Sequence, residues 1–139
     1  CDTPLRDAID LARDTHGRLA AGSGTIVFLV PLMASAGGDH FAALAALGEG
    51  ARILAKSLAK TWGGDGITAH AVTLDPHAFL DPADAARIAT ANALHDAPLG
   101  RVPSDTLDVA PIIDWLSTEP AAPWTGGSLI VDGGLWMPG

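Results

Sequence analysis

The seven residues GTIVFLV, Gly24 to Val30, constrain this chain most. They are aliphatic, β-branched or aromatic after the opening glycine, show no polar alternation, and end at Pro31. Such a run reads as a short strand covered on both faces, the way strands of a parallel sheet are buried. Parallel neighbours need crossover connections, usually helical, so the flanking chain is expected to supply helices.

The flanking patterns agree. Thr3-Pro4 reads as an N-cap followed by proline at the first helical position. Leu5, Ile9 and Leu11-Ala12 then recur at roughly helical spacing, predicting a helix from about 4 to 16 or slightly beyond. Asp39 reads as the cap of a second helix that runs to about Trp62 and stops at Gly63-Gly64. Along it, Ala42, Ala43, Ala45, Ala46, Gly48, Gly50 and Ala51 form a small surface that lets another helix or strand approach closely.

ITAHAVTL, Ile67 to Leu74, reads as a second strand, and SLIVDGG, Ser128 to Gly134, as a third with its turn. Between them PADAARIATANALHD begins a helix with Pro82 in its first turn. DTLDVAPIIDWLS, Asp105 to Ser117, forms another that Pro111 kinks or starts late. Helix, strand, helix, strand, helix, helix, strand is an α/β order with a thin parallel sheet.

Length and charge narrow the function classes. A chain of 139 residues suits one domain, 1–139, burying roughly 70% of its unfolded surface if it folds alone. With 48% hydrophobic and 17% charged residues it is globular. A net charge of −8 repels phosphate backbones and anionic membranes, so no nucleic acid and no membrane is expected as partner. No apolar run approaches the roughly 18 residues of a spanning helix. Cys1 is the only cysteine, which excludes an internal disulfide framework and suits a reducing, cytoplasmic setting. A chain starting on Cys rather than Met reads as a fragment.

In order and spacing, SGTIVFLV, AKSLAKTWGGDGITAHAV, LGR at Leu99 to Arg101 and WTGGSLIVDGG at Trp124 to Gly134 resemble the short-chain dehydrogenase/reductase family. The style is nearest the 3-oxoacyl-carrier-protein reductases. The resemblance covers essentially the whole chain and implies the C-terminal part of a Rossmann-like, doubly wound parallel sheet, without the N-terminal dinucleotide-binding part. It implies a Ser after the first of these strands, a Tyr thirteen residues later, a Lys four beyond that, and a helix Asn twenty-eight residues before the Ser. These groups donate and accept protons in carbonyl reduction.

On that pattern Pro31 falls at the Ser position, Leu44 at the Tyr, Gly48 at the Lys and Thr3 at the Asn. A register three residues back puts Phe41 and Ala45 at the Tyr and Lys positions, and the chain holds no Tyr to rescue any register. Ser35, Asp39 and His40 are the only displaced candidates nearby, and a polarising Ser without an acid/base partner has nothing to assist. On the cofactor side the resemblance implies Pro-Gly and then Thr after the second strand. Here Leu74 and Asp75 take the first two places and Phe79 stands near the third, with Asp75 expected to face the ligand's pyrophosphate. GSG at Gly22 to Gly24 precedes a strand rather than opening a helix, so it is no phosphate loop.

Other clusters read as structural. His16, His40, His70, His77 and His95 show no helical metal-site pairing. Asp81, Asp84, Asp105 and Asp108 read as solvated helix caps. Trp115, Trp124 and Trp136 divide between core and interface. The sequence therefore implies a catalytically silent subunit that pairs with itself or with an active paralogue. No cofactor is expected on this chain alone, with NAD or NADP in the partner. The alternatives are a divergent NAD(P)-dependent carbonyl reductase and a small-molecule binding module using an apolar pocket between Pro31, Leu44 and Phe79. An open sheet edge is expected too, for an N-terminal segment or a partner to cover.

Overall fold

The computed structural model describes residues 2–39, 41–78, 80–91, 97–101, 103 and 105–137. Three parallel strands, β1 (Thr25–Pro31), β2 (Thr68–Leu74) and β3 (Ser128–Val131), form one sheet in the order β1-β2-β3. Helices α1 (Asp2–Gly22), α2 (Met33–Ala36), α3 (Ala42–Trp62), α4 (Pro82–Ala91) and α5 (Ala110–Leu116) connect and cover them.

Alternation along β2 sorts the core into two layers. Ala69 and Ala71 pack with Ala12 of α1, Ala55, Leu58 and Ala59 of α3, and Ile26, Phe28 and Val30 of β1. Val72 and Leu74 point the other way and pack with Val109, Ile112, Ile113 and Leu116. Helices on both faces make the sheet doubly wound, and β2, at its centre, is buried from Ala69 to Leu74.

Several boundaries differ from the sequence-based expectation. α1 starts at Asp2, which places Thr3 inside the helix rather than at its cap, and runs through Gly17 to Gly22. A single exposed glycine costs a helix only about 1 kcal/mol, and Leu19 and Ala20 beyond it are half-buried. Ser23 ends the helix at φ 52°, and Gly24 follows because a Cβ there would lie 2.4 Å from the Leu19 side chain.

Asp39 does not cap α3. Phe41 takes the N-cap position without a side-chain hydrogen bond, after the short α2 and the Gly37-Gly38 turn. Pro111 delays its helix: Asp105–Val109 forms a wide π turn and regular α5 begins at Ala110. Asp81, by contrast, caps α4 as expected, its Oδ1 accepting the N–H groups of Ala83 and Asp84.

β1 is not covered on both faces. Leu29 is 46% exposed and only Val30 of the strand is fully buried, and among the described residues β1 pairs with β2 on one side alone. Its bonds toward β2 use even positions, as Thr68 N donates to Gly24 O and Leu32 N to Leu74 O. The odd positions Thr25, Val27, Leu29 and Pro31 therefore aim their main-chain groups at the open edge. Pro31 has no N–H to leave unpaired there, which is why an edge strand tolerates it.

Candidate functional site

In open parallel sheets ligands sit beyond the carboxyl ends of the strands. Pro31, Leu74 and Val131 are in register at those ends, so Leu32, Asp75 and Asp132 are the first residues past them. The sequence-derived positions fall partly here.

Gly48 is buried on α3 and faces β1 directly. A Cβ built on it would lie 2.4 Å from Ala34 Cβ, 3.1 Å from Val30 Cγ1 and 3.5 Å from Pro31 Cδ. Pro31 and Gly48 are thus brought together with room between them for no more than a methyl group, and Ala34 of α2 packs on the glycine. Leu44 stands one turn earlier on the same helix and is 36% exposed. Thr3 is exposed in the first turn of α1.

The small surface of α3 is used within the chain only in part: a Cβ on Gly50 would lie 2.7 Å from Leu5 of α1, while Ala42, Ala43 and Ala46 are exposed. Surface grooves among the described residues lie elsewhere. One of about 460 Å³ lies between α1 and β1 around Leu11, Thr15, Val27 and Phe28. One of about 620 Å³ lies beside β3 around Leu107, Ile112, Val131 and Trp136. A third, about 460 Å³, follows Leu5, Ile9 and Arg13 on α1. Pro31, Leu44 and Gly48 line none of these three, and the pocket expected between Pro31, Leu44 and Phe79 depends on a residue outside the described ones.

Polar chemistry near this corner belongs to a trio that sequence reasoning missed. Ser35 Oγ donates to Glu49 Oε1 at 3.1 Å, while Arg52 Nε and Nη2 approach Glu49 Oε2 at 2.7 and 2.5 Å. The Arg52 hydrogen bond holds the Glu49 carboxyl below its ordinary range, against the opposing effect of burial. Ser35 is therefore a tie between α2 and α3. The i, i+3 spacing of Glu49 and Arg52 was the available signal.

On the cofactor side, Leu74 is buried in the β2 core and Asp75 is 6% exposed. The Asp75 carboxylate is engaged within the chain: its Oδ1 accepts the His77 backbone N–H at 2.8 Å and lies 2.5 Å from His77 Nδ1. Phe79, His40 and His95 lie outside the described residues.

The other histidines are tied to structure. His16 Nε2 lies 3.0 Å from Asp65 Oδ2, and its ring meets Trp62 edge-on. His70 is fully buried in β2 with neither ring nitrogen hydrogen-bonded, stacked on Trp124 at 5.9 Å. Burial holds its pKa below the ordinary 6.5. Trp124 in turn contacts Trp115 at 6.2 Å, and both are partly exposed. Asp108 is paired with Arg101 at 2.6 Å and Asp84 with Arg87, so neither is merely a solvated cap. Among the described residues, no helix is long and apolar enough to cross a membrane.

Comparison with known proteins fits this geometry. A family model described as enoyl-(acyl carrier protein) reductase matches residues 1–136. Two tropinone reductase homologues of Arabidopsis thaliana are 32% and 34% identical, over 99% and 86% of this chain. The chain spans about half the length of the first of them, 52%, and 39% of the second. Sorbitol-6-phosphate 2-dehydrogenase SrlD from Erwinia amylovora superposes with a TM-score of 0.74, over 91% of this chain and 55% of that one. At 24% identity that likeness concerns the fold. On the match over residues 1–136 and these relatives, the chain belongs to the short-chain dehydrogenase/reductase family.

Proposed function

We propose that this chain is a catalytically silent short-chain dehydrogenase/reductase subunit, completing an NAD(P)-dependent oxidoreductase assembly whose reacting groups and dinucleotide site lie elsewhere. The observation that carries the reading is the closed corner at Gly48. At the positions the family resemblance assigns to Ser and Lys stand a proline ring and a bare glycine with room between them for no more than a methyl group, Ala34 being packed on the latter. Leu44 stands at the position of the phenol, and a chain without tyrosine has no substitute for that group.

The open edge of β1 and the adjoining α1 groove support the other half of the reading. Unpaired strand edges beside an apolar groove favour association. On this view residues 1–139 act as one unit, covered by an N-terminal dinucleotide-binding segment or by an active paralogue, and the lone cysteine suits a reducing, cytoplasmic compartment.

Titration with NADH and NADPH, followed by nicotinamide fluorescence, is expected to show no saturable binding to this chain alone. Co-expression with an active paralogue is expected to give a co-eluting complex that binds the cofactor. Tight, saturable binding by the chain alone would instead favour a divergent reductase.

A further inference from the structure

The geometry points to an acid/base site made by Asp75 and His77 at the carboxyl end of β2, activating water against small neutral acyl esters. It is separate from Thr3, Pro31, Leu44 and Gly48, although Asp75 stands at a position the resemblance assigns to the cofactor side. The Asp75 carboxylate is buried, and its Oδ1 receives two contacts from one residue, the His77 main-chain N–H at 2.8 Å and the ring Nδ1 at 2.5 Å.

The main-chain bond alone makes a tight turn that any residue at position 77 could complete. The ring contact adds something the turn does not need. A carboxylate only accepts, so Nδ1 carries the hydrogen, and in the neutral ring Nε2 is the nitrogen with the lone pair. The His77 side chain is 35% accessible while that of Asp75 is 8%, so the oriented ring meets solvent and the orienting charge is shielded. A buried carboxylate that fixes the tautomer of an accessible imidazole is the arrangement that makes histidine an effective proton acceptor.

Location and charge narrow the substrate. The pair follows the central strand of a parallel sheet, where ligands of such sheets are held. A net charge of −8, with Asp132 just past the neighbouring strand end, disfavours phosphate esters and other anions. Ala78 packs into the core, and the exposed Leu80, three residues beyond His77, favours an uncharged acyl group. In the step itself, Nε2 takes a proton from water as the water oxygen bonds to the ester carbonyl carbon. The tetrahedral intermediate then collapses as the bond to the leaving oxygen breaks, and Nε2 returns the proton to that oxygen. Ester and water give carboxylic acid and alcohol, and the imidazole is regenerated.

The test is hydrolysis of p-nitrophenyl acetate by the purified protein, beside His77→Gln, Asp75→Asn and His16→Gln. Asn at 75 keeps an acceptor oxygen for the turn and removes only the charge. His77→Gln is expected to abolish the protein-dependent rate, and Asp75→Asn to lower it by about 10²–10⁴-fold, with His16→Gln unchanged and all three folded by circular dichroism. If folded His77→Gln keeps the wild-type rate, or folded Asp75→Asn matches wild type, the pair is only a turn and the inference is overturned. Nicotinamide binding by the chain would contradict the silent-subunit reading without affecting this result.

Discussion

Gly48 of α3 lies flush against Ala34 of α2, so close that a Cβ on the glycine would sit 2.4 Å from the alanine methyl. Two helices joined by a five-residue turn can approach this closely only where one presents no side chain. Ala34 is a rigid neighbour with no rotamer to yield. Gly48→Ala should therefore lose more by the clash than the ~1 kcal/mol it gains in helix propensity. A net loss of about 1–3 kcal/mol is expected, measured by urea denaturation. Gly48→Lys should be at least as destabilising. A stabilised Gly48→Ala would show that α2 moves freely and that the corner is not closed.

That contact marks the limit of what the sequence makes legible. The three strands, their parallel order and Asp81 as a cap follow from local chemistry, since β-branched runs and an aspartate before a proline need little tertiary context. Leu44, Gly48 and Pro31 are equally readable as residues that cannot move protons. What depends on packing is not readable in this way. The edge position of β1 left Leu29 half exposed in a run that looks fully buried. The brief α2 displaced the start of α3 beyond Asp39, and the tight corner at Gly48 rests on a single alanine. The Asp75–His77 contact follows only once a strand end and turn place two residues of a polar-looking loop together.

His70 should make stability depend on pH. Its folded pKa lies below 6.5 through burial, so the unfolded chain binds the proton more readily. The stabilisation is complete above about 6.5 and is lost as pH falls toward and through the lowered folded value, at no more than about 1.4 kcal/mol per pH unit. His70→Leu removes two buried, unbonded nitrogens and should raise stability by about 1–3 kcal/mol near neutral pH. It should also flatten the slope between pH 6.5 and 5. Trp124 fluorescence in denaturant series at several pH values reads both effects, and an unchanged slope would refute the assignment.

Glu49 contributes in the opposite sense. Its folded pKa is lowered from 4.5, first by the Arg52 hydrogen bond, so its stabilisation is present above about 4.5 and fades as pH falls through the lowered value. The pair is partly exposed, which limits its worth. Arg52→Met is expected to cost less than about 1 kcal/mol at neutral pH. Thermal melts of wild type and variant should converge in acid. A cost that stays constant down to acid pH would mean that Arg52 acts through packing and not through the carboxylate.

The open edge of β1 gives the last expectation, and it follows from direction alone. Gly24 O and Leu32 N point to β2, so the N–H groups of Phe28 and Val30 do as well, while those of Val27 and Leu29 point to the unpaired side. Neighbouring amides on one strand should then differ. In hydrogen exchange by NMR, Val27 and Leu29 are expected to exchange rapidly and Phe28 and Val30 slowly in the chain alone. Adding a partner whose strand pairs with β1 should protect the odd amides and leave the even ones as they were, because the even ones are already bonded. Slow exchange at Val27 and Leu29 in a monomeric sample would mean that this edge is covered from within the chain and that no added strand can seat there.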